Sequence, residues 1–339
     1  MTMLIFLVFL VSILLSWLLT SQVRKYALAQ NLLDIPNDRS SHTVPTPRGG
    51  GIAIVTVLLL SGAASLFLPR APIPVLTCLL LATLAFSLLG WQDDRHDLPV
   101  SVRFMIQLLI AAFASGWLIW VNAPALSISF ALMASLLLST LWIVWMANLY
   151  NFMDGIDGIS AVESLILGAT TSYWFASLGA TSMAIICIAV AGASVGFLRW
   201  NWSPAKIFMG DVGSLALGAF FAIIAVIGTT GLNIPFLAFL ILYAVYLADS
   251  GITLLHRMVK REKWWQAHRS HFYQRAVQSG LSHAQVSLSV MALNVFFALL
   301  ASLLIMGIVN ATTAIVVTMA ILISLMFLIN SRFNRINSK

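Results

Sequence analysis

Apolar runs about twenty residues long recur eleven times along this chain, with short polar breaks between them. They fall at 2–20, 50–68, 75–92, 101–121, 130–149, 160–177, 181–198, 213–229, 235–255, 285–307 and 312–330. Each is long enough to cross a bilayer as a helix, and a helix satisfies its own backbone there. With 60% hydrophobic and only 9% charged residues, a water-soluble domain is excluded. No break could hold a second domain. The expectation is an all-α polytopic integral membrane protein, one domain over 1–339. The first run lacks a basic leader and a cleavage site, so it reads as a retained helix. Cys78 and Cys187 lie in apolar runs and read as free core thiols.

The charges set the orientation. The odd-numbered connections are 21–49, 93–100, 150–159, 199–212 and 256–284, followed by the tail 331–339. Every Lys and Arg except Arg70 lies in or beside one of them. Basic loops face the cytoplasm. The N-terminus is therefore expected outside, in the periplasm, and the C-terminus inside. The net charge of +7 reflects this bias and does not call for nucleic acid. The eleven acids also gather near the same face, with Glu163 and Asp249 just inside helix ends. Placed at the interface, they would avoid most of the burial cost of a membrane carboxylate. This favours a reaction at the cytoplasmic surface over a carrier with a charged midplane site.

Within that face, Asn148, Asn151, Asp154 and Asp157 recur every third residue. Neighbours in such a series are close on a helix, but its ends point apart, so convergence requires the helix to end inside it. Gly155 and Gly158 sit where that change is expected. Asp93 and Asp94 repel one another unless a cation or proton lies near, with Arg95 as the simple partner in a solvated loop. In Phe208-Met-Gly-Asp-Val-Gly-Ser214, Asp211 could be a plain N-cap, and the helix start could equally meet an anion. Arg257 to Lys263, with Trp264 and Trp265, reads as a topology signal in an aromatic belt. His268-Arg-Ser-His271 is suited to phosphate oxygens, and zinc is disfavoured because no cysteine is near. Jointly, aspartates at three breaks facing a cationic loop describe a Mg²⁺ and polyphosphate site.

These motifs, in this order, resemble the polyprenyl-phosphate N-acetylhexosamine-1-phosphate transferases. They are Asp93-Asp-Arg-His-Asp97, Asn148 to Ser160, Phe208 to Ser214 and the His268 to His271 loop. Pro45-Thr-Pro-Arg-Gly-Gly-Gly51 looks like the entry to that family's second helix. The lipid I enzyme has a lysine where Asp97 stands, so the O-antigen-initiating branch is the better likeness. The resemblance implies transfer of N-acetylhexosamine-1-phosphate from a UDP-N-acetylhexosamine to undecaprenyl phosphate, with release of UMP. It implies a bacterial inner-membrane enzyme with its site facing the cytoplasm, working on a membrane lipid substrate. It also implies Mg²⁺, with Mn²⁺ as substitute; a homodimer is one assembly compatible with it, and the sequence leaves the oligomeric state open. By position it assigns Asp93, Asp94, Asp154 and Asp157 to catalysis and Asp211 with Asp157 to the metal. Asn151, Phe208, His268, Arg269, His271 and Arg48 are assigned to substrate binding. A phosphate monoester is largely ionised near neutral pH, so positioning and charge neutralisation are favoured over proton abstraction by Asp93.

Two other classes fit the sequence less well. A flippase or transporter would place ionisable residues at the midplane or show repeats, and neither is seen. A CDP-alcohol phosphotransferase would continue its Asp-Gly motif further than Asp154-Gly-Ile-Asp-Gly158 does.

Overall fold

A computed structural model describes residues 1–36, 44–122, 129–263 and 268–337, so Asp38, Trp264 and Trp265 lie outside the described residues. Its helices are α1 (Thr2–Ala29), α2 (Gly51–Ser65), α3 (Ile73–His96), α4 (Val100–Asn122), α5 (Phe130–Met153), α6 (Ile159–Ser177) and α7 (Thr181–Asn201). After these come α8 (Asp211–Leu232), α9 (Phe236–Leu242), α10 (Ala244–Val259), α11 (Phe272–Gln278), α12 (His283–Ile305) and α13 (Ala311–Asn337). A short antiparallel pair, β1 (Leu33–Asp34) and β2 (Thr46–Pro47), folds the first connection back on itself. Eight helices among the described residues are long and apolar enough to cross a membrane, or nine if α9 and α10 form one span. The protein is an all-α polytopic membrane protein. Every one of the eleven expected runs contains a helix, although α2 is only 15 residues long and α6 carries Glu163.

α8 is the axis of the bundle. Its most apolar stretch is 89% buried, whereas those of α1 and α13 are 11% and 17% buried. A helix apolar on all sides belongs inside, and α8 is such a helix. Its backbone approaches its neighbours closely where glycine leaves room. Gly218 lies against Met146 and Ala147 of α5, and Gly213 lies against Gly51 of α2.

Two expectations are corrected. The run 235–255 is not one straight span, because α9 and α10 meet at Tyr243 with a bend of 78°. No proline or glycine lies at the break. α10 has two faces: Asp249, Ser250 and Thr253 are buried, while Ile252, Leu255 and Val259 are exposed. The bend lays the polar face against the chain at 271–273, which is helical at α11 where a plain loop was expected.

The acids are also not kept at the surface. Asp93, Asp94, Asp157 and Asp249 are only 5–8% exposed, and Glu163 is 0% exposed. Their burial is offset by specific partners and not avoided. Asn294 of α12 donates its amide N–H to Glu163 Oε2. Glu163 Oε1 and Asn294 Oδ1 are both buried with no partner. Two acceptors cannot satisfy each other, but a proton on the carboxyl group would let one donate to the other.

Candidate active site

The last two turns of α3 and the first turn of α8 meet backbone to backbone. Gly90 makes this contact, because a Cβ there would clash with the Asp211 carbonyl. Asp94 Oδ2 accepts the N–H of Val212 at 3.1 Å. Arg48 donates to the Asp94 carbonyl and lies 4.0 Å from its carboxylate. Asp93 accepts the N–H of Leu98 at 2.9 Å and pairs with Arg103 of α4. Arg103 is also 3.6 Å from Asp211. On the other side, Asn151 donates to Asp211 at 2.7 Å and to Ser214 at 3.0 Å. One cluster therefore unites Arg48, Asp93, Asp94, Asn151 and Asp211 from four connections, plus Arg103, which sequence reasoning used only as a topology charge.

The first connection closes this cluster from above. Phe208 N–H donates to Pro47 O at 2.8 Å, and Gly50 and Gly51 donate back to Phe208 O and Met209 O at 2.9 and 2.8 Å. The half-buried Phe208 is thus held beside Arg48 and one turn before Asp211. Gly210 takes φ 75° at this turn, a conformation that a side chain would disfavour.

The Asn148 series breaks as expected. α5 ends at Met153 and α6 begins at Ile159. The four side chains nevertheless fan out. Asn148 donates to Gln107 at 2.6 Å and serves the bundle. Asp157 accepts Ala205 N–H at 3.2 Å and lies 3.3 Å from His283 of α12, while Ser287 donates to its carbonyl at 2.8 Å. Burial works to raise the Asp157 pKa, but hydrogen bonding and charge from His283 hold it below the usual range. Asp154 caps α5; burial pushes its carboxyl up to about 7, with Ser160 opposing and Asp94 adding to the rise. The two aspartates of the motif therefore differ in state and in partners.

The His loop is anchored by a residue that the sequence marked only as an acid near a helix end. Asp249 of α10 accepts from His271 Nδ1 at 3.0 Å and from the N–H groups of Phe272 and Tyr273, both at 2.9 Å. With Nδ1 engaged, Nε2 is the ring nitrogen left for a ligand. Tyr273 donates to the Phe152 carbonyl at 3.0 Å and lies under Gly155, which docks this loop onto the Asp154 segment. His268 stacks on His271 with centroids 4.8 Å apart. Burial, then the charges of His271 and Arg257, lower its pKa to about 4, so it is neutral near pH 7. Arg269 is exposed beside them. The signal for Asp249 in the sequence was a carboxylate beside the hydroxyls Ser250 and Thr253 in an otherwise apolar run.

A groove of about 1790 Å³ runs between α4, α5 and α8–α10. It is walled by residues such as Phe104, Leu138, Trp142, Trp145 and Phe236. Arg103 and Phe152 line its end at the carboxylate cluster, and Thr230 lines the far end. Among the described residues, no three or more His, Cys, Asp or Glu side chains form a group that could hold a metal by themselves. Asp211, with 29% of its side chain exposed beside Asp93 and Asp94, supplies hard oxygens of the kind Mg²⁺ takes. That ion commonly completes its shell with substrate phosphate and water, so the residues fit it.

Residues 76–229 match glycosyl transferase family 4. A probable undecaprenyl-phosphate N-acetylglucosaminyl 1-phosphate transferase of Bacillus subtilis (strain 168) is 29% identical over 306 residues, covering 87% of this chain and 84% of its own length. A phospho-N-acetylmuramoyl-pentapeptide-transferase of Staphylococcus saprophyticus is 30% identical over 220 residues, covering 57% of this chain and 66% of its own. One of Staphylococcus carnosus is 26% identical over 254 residues, covering 68% and 77%. The matched family segment holds Asp93, Asp94, Asn151, Asp154, Asp157, Phe208 and Asp211 and ends before the His loop.

Proposed function

We propose that this chain, whose residues 76–229 match glycosyl transferase family 4, is a polyprenyl-phosphate N-acetylhexosamine-1-phosphate transferase that moves N-acetylhexosamine-1-phosphate from a UDP-sugar to undecaprenyl phosphate. The products are the polyprenyl-diphospho-sugar and UMP. The step initiates O-antigen or another cell-surface polysaccharide at the cytoplasmic face of the inner membrane. The observation that carries this reading is the apolar groove ending at Arg103. Its about 1790 Å³ exceeds the roughly 300–1,000 Å³ usual for small-ligand pockets. A long isoprenoid chain suits such a volume. Its phosphate would then lie at Arg103, between Asp93 and Asp211.

In this reading Arg103 and Arg48 neutralise phosphate charge, which is the main electrostatic task in phosphoryl transfer. Asp211 would hold Mg²⁺ with its neighbouring carboxylates, and Mn²⁺ would substitute. The ion would neutralise charge on the donor's diphosphate. Asn151 fixes the Asp211 carboxylate through its amide. Phe208 offers a ring for the uracil, and Arg269 offers donors to the diphosphate beside His271, which would donate from Nε2 only as an imidazolium because its Nδ1–H is given to Asp249. Asp154 can carry or release a proton near neutral pH. Asp93 is committed to Arg103, so its task is positioning.

The test is purified protein with undecaprenyl phosphate, Mg²⁺ and a panel of UDP-sugars, with mass spectrometry of the lipid product. The expected result is UMP release that needs both lipid and metal, with an N-acetylhexosamine in the product. Undiminished turnover after prolonged chelation would refute the metal role. A second reading, lipid I synthesis, is favoured by the two staphylococcal relatives. UDP-MurNAc-pentapeptide in the same panel separates the two.

A further inference from the structure

Away from the active site, a second groove of about 560 Å³ lies between α1 and α7. Its floor exists because α1 and α7 touch through glycine, with Gly192 against Phe9 and Gly196 against Ile13. Leu10, Leu14 and Trp17 form one wall, and Val195, Leu198 and Trp202 the other. Arg199 lines its mouth. Just beyond is an anchored cationic seat. The Trp200 indole donates to the Trp17 carbonyl at 3.1 Å. Over that ring lie Arg24 at 5.9 Å and Lys206 at 5.8 Å, and Arg24 is held by a 3.1 Å bond to the Lys206 carbonyl. Neither α1 nor α7 contains an acid, and among the described residues no carboxylate pairs with Arg24, Arg199 or Lys206.

From this geometry we infer that the α1–α7 groove binds an anionic phospholipid, with an acyl chain between the helices and the phosphate at Arg24, Arg199 and Lys206. The apolar length below the charges matches a lipid and not a free phosphate. The aromatic platform fixes two of the three cations, which separates the seat from loosely snorkelling side chains. The inner wall of the groove leads to the active site. Trp202 packs on Gly158, next to Asp157, and Asn201 beside it accepts Gly158 N–H at 2.9 Å. A chain seated against Trp202 therefore backs the Asp154–Gly158 turn. The inference does not depend on the transferase reading, since its test reads lipid mass.

The experiment is native mass spectrometry of the detergent-purified full chain, titrated with phosphatidylglycerol or with phosphatidylcholine of the same acyl chains. The unaltered protein should retain one phosphatidylglycerol at least tenfold more tightly than phosphatidylcholine. Combined Arg24→Gln, Arg199→Gln and Lys206→Gln should abolish that preference. Leu14→Trp, which fills the groove without touching a charge, should lower retention of both lipids. Combined Lys260→Gln, Arg261→Gln and Lys263→Gln removes equal charge elsewhere and should change nothing. Equal loss in the two charge-removal variants would overturn the inference, as would equal retention of the two lipids by the unaltered protein. If Leu14→Trp disrupts a dimer while lipid retention is unchanged, the groove is an interface between copies and the inference fails. Elution volume and thermal melting of each variant establish that it is folded.

Discussion

Arg103 stands between Asp93 and Asp211 where the long apolar groove reaches the site. Among the described residues its guanidinium forms the ion pairs of both carboxylates. Arg103→Ala should lower kcat/KM by about two orders of magnitude, with partial recovery in Arg103→Lys, since preorganised charge contributes on that scale. Steady-state kinetics with varied lipid phosphate reads this directly. Asp249 acts one step further back. Asp249→Asn places an amide N–H where three donors now converge, so the His271 ring should lose its fixed orientation. The expected signature is a raised KM for the nucleotide-sugar with the protein still folded. A proportional loss of activity and of melting temperature would mean that Asp249 only holds the structure. Asp154 supplies the pH dependence. Its folded pKa of about 7 lies above the ordinary value, so it is protonated below neutrality and ionised above it. If the carboxylate is the working form, kcat/KM rises with pH to a plateau above about 7, and Asp154→Asn removes that inflection. By linkage, the same shift adds stability at low pH that is lost as pH rises through about 7. His268, with its pKa lowered to about 4, should contribute no inflection across neutral pH, and His268→Gln should leave the profile shape intact.

At the scale of elements, the α6–α12 seam shows what the sequence could and could not reveal. Asp157 meets His283 across 126 residues, and Glu163 meets Asn294 across 131. Asn294→Leu leaves Glu163 buried with no hydrogen-bond donor and should cost about 1–3 kcal/mol. Glu163→Gln keeps a donor and an acceptor facing Asn294 and should cost little. Melting in detergent separates the two; a Glu163→Gln as damaging as Asn294→Leu would exclude the paired arrangement. The apolar runs located every helix, because lipid leaves a chain few alternatives. Parity also predicted which connections would meet, and Arg48–Asp94, Asn151–Asp211 and Tyr273–Phe152 are those meetings. The bend at Tyr243 was not legible, because it contains neither proline nor glycine. Its cause is the polar face of α10, whose partner lies more than twenty residues later. The same long reach hid Asp249 and His283, whereas Arg103, only ten residues from Asp93, was hidden because it reads equally well as a topology charge. The even spacing of Asn148, Asn151, Asp154 and Asp157 would allow one convergent set, but the break in the helix sends their side chains to four different neighbours, Gln107, Asp211, Ser160 and His283.

For the whole molecule, the site is a joint product of both halves of the chain. Arg48, Asp93, Asp94, Arg103, Asn151 and Asp154 precede the exposed turn at Gly179, where nothing packs within 4 Å. Phe208, Asp211, Asp249 and His271 follow it. Fragments 1–179 and 180–339 expressed separately should each be inactive, and co-expression should restore UMP release, because α6 and α7 pack closely on either side of that turn. Failure of co-purified fragments to regain any turnover would show that the covalent link at Gly179 is required. The late position of the His loop bears on how the chain is made. Synthesis proceeds from the N-terminus and segments enter the membrane in order. The aspartates of α3 and the α5–α6 turn are therefore in place long before Asp249 and His271 leave the ribosome. A product truncated ahead of α11 is therefore expected to be inactive in the same UMP-release assay, and turnover by it would show that the His loop is dispensable. Activity is then expected only as a final event of translation, once the last third of the polypeptide has docked onto the α5–α6 turn at its middle.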